Sequence, residues 1–127
     1  NLHYWHNDAY VGIGCGAHGR YDMTRYTQAQ TLADYAHDVA QGRRWHDVEE
    51  VLTPQEDVKE TLMLGMRLAQ GVDFEALLAK LDPPVQMRWR MLARQYESMG
   101  LLQREGARLF ATPHGWEVQN AWLCTFL

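Results

Sequence analysis

The sequence predicts an α+β protein that is mainly helical. Three observations favour this class. Residues 53–127 alternate helix-capping residues with apolar residues at helical spacing, and one hairpin pattern interrupts them. Their order of helix, helix, helix, hairpin and helix predicts a winged-helix-like domain over 51–127. Residues 1–50 hold five of the six histidines and no lysine, and they predict a separate region with a strand and a glycine-rich loop.

The composition limits the function classes. The chain has 127 residues, of which 46% are hydrophobic and 22% charged, as expected of a globular protein and not of a disordered one. A net charge of -4 argues against general nucleic-acid binding. Two cysteines without a CxxC pair exclude a disulfide framework. With no apolar run long enough to span a membrane, we expect a soluble, cytoplasmic protein. Because the first residue is not Met, we expect a fragment of a longer protein.

The first helix of the second region begins at Thr53–Glu56, where Thr53 is a capping residue and a proline occupies the first helical position. Gly71 is expected to end this helix. Its inward face is predicted to hold four apolar residues at helical spacing, Val58, Leu62, Met66 and Ala69. Asp73 caps a short second helix, whose inward side chains are Leu77, Leu78 and Leu81.

A third helix is predicted from Pro84 to the glycine at position 100. It carries a stripe of apolar residues at spacings of four and three, namely Val85, Trp89, Leu92, Tyr96 and Met99. A β-hairpin follows over 101–111 around the turn Glu105–Gly106. Thr112 and Pro113 begin a last helix with Trp116, Leu123 and Leu127 on its apolar face.

The first region is less regular. Tyr10–Ile13 is predicted to be a buried strand that leads into the glycine-rich loop. Residues 20–28 are expected to form a hairpin or an extended arm. Residues 31–41 predict a helix that ends at Gly42, with Leu32, Tyr35, Ala36 and Val39 facing inward.

The glycine-rich loop, residues 12–19, is the most distinctive local pattern. Gly14, Gly16 and Gly19 satisfy G-x-G-x-x-G, but no helix follows, so a dinucleotide site is not supported. Glycines without side chains let the backbone approach either a flat ligand or another backbone, and both alternatives stay open. We expect His18, within the loop, to contact either a cofactor or substrate, or a loop carbonyl.

Other chemistry is poorly supported. The only serine, Ser98, lies outside any nucleophile motif, and nothing provides an oxyanion hole for Cys15, so we predict no catalytic residue and no metal ligand in this chain. A stand-alone DNA-binding winged helix is an alternative function. It rests on five arginines, namely Arg88, Arg90, Arg94, Arg104 and Arg108. The acidic first two helices favour a protein-interaction or lid module instead, which makes nucleic acid the less favoured partner.

Residues 1–5 and 8–19 resemble a stretch of the oxygen-independent coproporphyrinogen III oxidase-like radical SAM proteins, and within that family the HemW, or haem-chaperone, branch. The similarity continues through the helix over 53–71 and through 100–102, and it extends from Thr112 to Leu127. It therefore covers essentially the whole chain.

The resemblance implies an architecture and cofactors. Such proteins have an incomplete (β/α) barrel that binds a four-iron cluster and S-adenosylmethionine, followed by a C-terminal domain. Residues 1–50 would be the end of the barrel, with its last strand, and 51–127 would close it. No cofactor is expected on this chain alone, whereas the parent protein would bind the cluster, S-adenosylmethionine and haem. The implied partners are haem or a porphyrin and the N-terminal barrel.

The resemblance also implies site residues. Asn1, Tyr4 and Trp5 match a His-Asn-x-x-Tyr-Trp motif that is associated with haem binding. The leading histidine of that motif would precede Asn1, which leaves His3 or His6 to substitute for it. The loop residues that match positions facing the S-adenosylmethionine or substrate cavity are Gly14, Gly16, Ala17 and His18. We favour haem binding and delivery over the alternative, oxidative decarboxylation of two propionates of coproporphyrinogen III.

Overall fold

A computed structural model describes residues 2–127 and divides them into two compact units. The first unit comprises the described residues up to Tyr4 together with Asp8–Thr53, and the second comprises Trp5–Asn7 and Pro54–Leu127. Asn1 lies outside the described residues. Within 2–127, no helix is long and apolar enough to cross a membrane.

The first unit contains an antiparallel three-stranded sheet. Its strands are β1 (His18–Tyr21), β2 (Thr24–Thr27) and β3 (Asp47–Val51), in the order β1-β2-β3. Asp22 and Met23 both have positive φ, which is the two-residue turn geometry that matches the twist of a hairpin. Residues 20–28 therefore form a hairpin and not an extended arm.

The strand predicted in this unit is wrong, and another strand was missed. Tyr10–Ile13 does not form a buried strand, because it makes a single bridge to Arg20, and Ile13 is 82% exposed. The polar groups of Gly12 bond to side chains rather than to a neighbouring strand, and Gly14 has a positive φ that ends the extended course. Strand β3 was not predicted, since all five of its residues are exposed and three are acidic.

Helix α2 is confirmed at Leu32–Ala40, and the Thr31 side chain caps it by accepting from the N–H of Asp34. Its predicted inward face is wrong. Leu32 is 73% exposed and Val39 57%, Ala36 is exposed too, and Tyr35 is half-buried. The buried residue is Asp38, whose carboxylate is paired with residues beyond the helix. Tertiary ion pairs thus override the apolar pattern.

The second unit follows the predicted order, with an added strand. Its elements are α3 (Pro54–Gly65), β4 (Val72–Asp73), α4 (Phe74–Leu78), α5 (Pro83–Ser98), β5 (Leu102–Glu105), β6 (Arg108–Ala111), α6 (Pro113–Glu117) and α7 (Gln119–Leu123), with a 3-10 turn at Cys124–Phe126. The strands form an antiparallel sheet in the order β4-β6-β5. A short helix at the start of the chain, α1, covers Leu2–Trp5. The chain is thus a mixed α/β protein with two small sheets.

Aromatic side chains fill the core of the second unit. The Trp89 ring lies 6.3 Å from that of Phe74 and 5.4 Å from that of Phe126, and the Trp89 indole N–H donates to the Phe126 carbonyl at 3.1 Å. Trp122 packs against the same Phe126 at 6.4 Å. These rings are almost completely buried, so each large apolar surface is removed from water while the indole N–H groups keep a partner.

Some predicted details of the second unit are wrong. Helix α3 ends at Gly65 rather than at Gly71, and turn bonds from the N–H groups of Arg67 and Leu68 to the carbonyls of Leu64 and Gly65 follow it. Leu68 consequently takes the inward position predicted for Ala69. Three residues predicted to face inward are exposed, namely Met99, Trp116 and Leu127, and the last helical segment buries Trp122 and Phe126 in their place.

Candidate functional site

Side chains of its own unit hold the glycine-rich loop. Gly12 donates its N–H to the Tyr26 hydroxyl at 3.2 Å and accepts from Gln28 Nε2 at 3.1 Å. Gly14 donates to the Tyr35 hydroxyl at 3.1 Å. These polar side chains satisfy backbone groups that a strand would pair with a neighbour, so they fix the course of the loop.

Glycine is required at the positions of this loop for two different structural reasons. A Cβ at Gly19 would overlap the Tyr26 ring, and one at Gly12 would overlap the His18 carbonyl, so close packing within the unit requires glycine at both positions. Gly14 and Gly16 have φ of +103° and +71°. No atom lies within 4 Å of a Cβ built on Gly14. Only Gly14 and Gly16 therefore remain as candidates for ligand approach.

The rest of the predicted cavity set lies where the loop enters the sheet. Ala17 is half-buried, and its carbonyl accepts from the N–H of Gln28 at 2.7 Å. His18 is the first residue of β1, and its exposed imidazole lies 3.3 Å from the Glu49 carboxylate. The assignment of Gly14, Gly16, Ala17 and His18 to an S-adenosylmethionine or substrate cavity stays a prediction.

Tyr4 and Trp5, the described residues of the haem-associated motif, are the last two residues of α1. Tyr4 is 48% exposed. Trp5 and His6 line a cavity of about 240 Å³ in the second unit. The remaining lining includes the apolar side chains of Val72 and Leu77, together with Thr61, Asp73 and Arg108. The motif tryptophan is thus part of a cavity whose other walls come from α3, β4, α4 and β6.

Asn7 fixes the segment Trp5–Asn7 on α3. Its side-chain amide donates to the Asp57 carboxylate at 3.1 Å and to the Thr61 hydroxyl at 2.9 Å. Its φ of +58° is a left-handed conformation that asparagine tolerates better than most residues. These contacts join positions about fifty residues apart, and they hold Trp5 and His6 at the cavity.

His6 and Arg108, which both line this cavity, differ in their hydrogen bonding. The His6 imidazole is exposed and has no hydrogen-bond partner among residues 2–127. Arg108 donates from Nε to the Gln70 carbonyl and from Nη2 to the Gly71 carbonyl, each at 2.9 Å. Its Nη1 keeps N–H donors for an incoming group. The cavity therefore combines an aromatic wall, an apolar floor, an available imidazole and a positive charge.

A second histidine is held by a buried carboxylate. His46 Nδ1 lies 2.6 Å from Asp38 Oδ2, and Arg43 Nη1 donates to Asp38 Oδ1 at 3.1 Å. The hydrogen bond from His46 lowers the pKa of Asp38, with Arg43 adding to the effect and burial opposing it. The Asp38 side chain is 3% exposed, while that of His46 is 45% exposed. The cluster locks the connection between α2 and β3.

Most of the predicted arginine face is committed to contacts within the chain. Arg88 donates to the carbonyls of residues 125 and 126, Arg90 and Arg104 bind the Glu75 carboxylate, and Arg108 caps two carbonyls. These ion pairs lower the pKa of Glu75, chiefly through the hydrogen bond from Arg90. Of the five arginines, Arg94 alone has no hydrogen bond within the part of the chain that the structure describes. A phosphate-binding face is therefore poorly supported.

Cys15 and Cys124 are free and exposed. Across residues 2–127, no three His, Cys, Asp or Glu side chains are grouped so that they would hold a metal ion.

Comparison with known proteins identifies the domain. The model of one protein family, described as the HemN C-terminal domain, matches residues 52–118, which is more than half of the chain. The chain belongs to the HemN C-terminal domain family. The family match begins two residues before α3 and ends after α6, so it covers most of the second unit.

Two relatives are similar to this chain over more residues than the HemN C-terminal domain covers. The chain is 28% identical to the "Heme chaperone HemW" of Bacillus subtilis (strain 168) over 128 residues, which cover 100% of this chain and 34% of that protein. It is 28% identical to the protein of the same name from Lactococcus lactis subsp. lactis (strain IL1403), over 94% of this chain and 31% of that protein. The chain thus spans about a third of the length of these relatives. No solved structure matches it significantly.

These findings confirm the resemblance inferred from the sequence. The structure, in turn, shows contacts that the sequence did not reveal. Nothing in the local sequence predicts the bonds from Asn7 to α3, because Asn7 is simply an asparagine that follows an aromatic run. For the Asp38–His46 contact, the sequence shows only an aspartate within a predicted helix and a histidine after it. That the two side chains meet is recognisable only in the folded chain.

Proposed function

We propose that this protein acts in haem binding and delivery, as the C-terminal part of a haem-chaperone-like protein. The observation that carries the proposal is the cavity in which the motif residue Trp5 meets His6 on the HemN C-terminal domain. The names of the two relatives support a haem-related role.

The chemistry of the cavity suits one edge of a haem. Histidine is a common ligand of haem iron, and the His6 imidazole has no competing partner among the described residues. A tryptophan ring offers a flat apolar surface for a macrocycle. At about 240 Å³ the cavity is smaller than the roughly 300–1,000 Å³ typical of sites that enclose a ligand. It would therefore hold an edge of the ring and leave the rest exposed, as transfer to an acceptor requires.

We extend the proposal to the parent architecture. The second unit orders its elements as helix, strand, helix, helix and hairpin, which supports a winged-helix-like domain that closes the cofactor cavity of a radical SAM barrel. The open side of Gly14 would face that cavity. A four-iron cluster takes more thiolates than Cys15 and Cys124 offer, so this chain does not fit the role of cluster ligand by itself. Bound S-adenosylmethionine would supply radical chemistry in the parent protein.

Titration of the chain with haemin tests the proposed function. We expect a shift of the Soret band with saturable binding, and we expect His6→Ala to weaken it by about tenfold or more, because the iron loses a ligand. His37→Ala is the matched control, since His37 is exposed on α2 and its side chain has no partner in the described part of the chain. Absence of any shift for the unmodified chain would contradict a haem-binding function.

The oxidase alternative is separable by a different assay. The longer protein would be incubated anaerobically with coproporphyrinogen III and S-adenosylmethionine. Loss of two carboxyl groups from the substrate would move the assignment to the oxidase branch. Unchanged substrate together with haemin binding would support the chaperone assignment. The commitment of four arginines to contacts within the chain leaves the DNA-binding alternative without a specific observation in its favour.

A further inference from the structure

A second cavity of the HemN C-terminal domain lies between the residue that follows the end of α3 and the α6–α7 segment, and the haem-associated motif does not account for it. Its volume is about 400 Å³, within the range typical of ligand sites. It is lined by Arg67, just beyond α3, and by the α6–α7 segment 116–121. We propose that this cavity binds a carboxylate attached to a planar apolar group. The inference rests on the proposed function, because tetrapyrroles carry carboxylates at the edge of a planar ring.

A buried side chain builds the cavity. Gln119 is 5% exposed, and its Nε2 donates to the Met66 carbonyl at 2.6 Å. This bond ties the beginning of α7 to the end of α3. It brings the next residue of each segment, Arg67 and Asn120, within 3.2 Å of each other. The backbone positions of Arg67 and Asn120 are therefore fixed by a buried contact between the residues that precede them.

The bond between Arg67 and Asn120 determines which way the amide faces. Arginine only donates hydrogen bonds, so the Asn120 oxygen must face it, and the amide N–H₂ group is directed away. That group has no acceptor among the described residues, and neither do Nε and Nη1 of Arg67. A guanidinium and an amide thus present uncommitted donors side by side. Such a pair recognises a carboxylate through charge-assisted hydrogen bonds.

The remaining lining suits the planar part of the ligand. The Trp116 indole is 43% exposed and lies beside Val118 in the cavity. An exposed tryptophan next to a carboxylate-binding pair favours a ligand with a planar apolar group over a free anion. Glu117 also lines the cavity and opposes an anion. Its side chain is 76% exposed, so solvent weakens that repulsion.

Metal-free protoporphyrin IX and its dimethyl ester are the probes, because neither contains the iron that His6 would ligate. We expect the unmodified chain to bind the diacid about tenfold more tightly than the diester, as loss of a charge-assisted hydrogen bond predicts. Asn120→Asp keeps an acceptor for Arg67 but replaces the N–H₂ donors with a negative charge. It should abolish the preference for the diacid while leaving the circular dichroism spectrum unchanged. Arg67→Gln should reduce the preference as well.

Arg94→Gln is the matched control, since it removes one exposed positive charge from α5 without touching the cavity. It should retain the preference for the diacid. An unchanged preference in Asn120→Asp and Arg67→Gln would overturn the inference. If haemin still bound to those variants, the proposed function would stand. Failure of haemin to bind the unmodified chain would instead remove the proposed function and, with it, the basis of this inference.

Discussion

Replacement of Gly19 by alanine tests whether the glycine-rich loop is shaped by packing within its own unit. Gly19 does not have a positive φ, so alanine fits its backbone and the cost is steric. A Cβ there would lie 2.7 Å from Tyr26 Cε1 and closer still to Cζ and the hydroxyl oxygen. Because carbon atoms prefer separations of about 3.5–4.0 Å, the ring would have to retreat by about 1.5 Å.

The ring has little room to retreat. Tyr26 is 2% exposed, its centroid is 5.2 Å from that of Trp45, and its hydroxyl accepts from Gly12. Inserting bulk into a packed core costs about 1–3 kcal/mol, and we expect Gly19→Ala to cost about 3 kcal/mol because Tyr26 is buried and already contacts Trp45 and Gly12.

Hydrogen exchange of peptides covering residues 10–30 is the assay, since it reports on the first unit alone. The expected acceleration in Gly19→Ala is roughly a hundredfold, whereas Ile13→Ala, at a residue that is 82% exposed, should change little. In a Tyr26→Leu background, which lacks the overlapping ring atoms, Gly19→Ala should cost less than about 1 kcal/mol. Equal costs in both backgrounds, or no cost in either, would refute the packing argument.

Three further predictions concern other contacts. Asp38→Asn should lower the free energy of unfolding in urea at neutral pH. Because the folded-state pKa of Asp38 is lowered, the difference in unfolding free energy from the unmodified chain should shrink as pH falls below the ordinary aspartate range. Gly71→Ala should cost about 3 kcal/mol, measured by thermal unfolding, because its φ is +61° and a Cβ would overlap the Leu109 carbonyl. Asn7→Ala should leave far-ultraviolet circular dichroism unchanged and weaken haemin affinity, because it releases Trp5 from α3. Unchanged haemin affinity would show that the anchor does not position Trp5.

The second unit was largely predictable because local signals define its elements. The Asp73 side chain caps α4 by accepting from the N–H of Ala76, and Thr112 caps α6 by accepting from the N–H of Gly115, as their sequence contexts indicate. Strand β4 was missed because it has only two residues and pairs with a strand some thirty-six positions away.

The first unit was less predictable because its contacts are not local. Helix α2 carries an apolar pattern, yet it buries Asp38, since the contacts with Arg43 and His46 exist only once the following loop has folded back. The candidate site shows the same limit. Trp5 was recognised by resemblance, but its cavity depends on bonds from Asn7 to α3 that no sequence spacing reveals.

Hydrogen exchange of the chain with and without haemin tests most directly where haem binds. The account predicts slowed exchange in peptides covering 5–7 and 61–77, which contain Trp5, His6 and most of the cavity lining. Protection confined to the glycine-rich loop, or spread evenly over the chain, would contradict a haem site in the Trp5–His6 cavity.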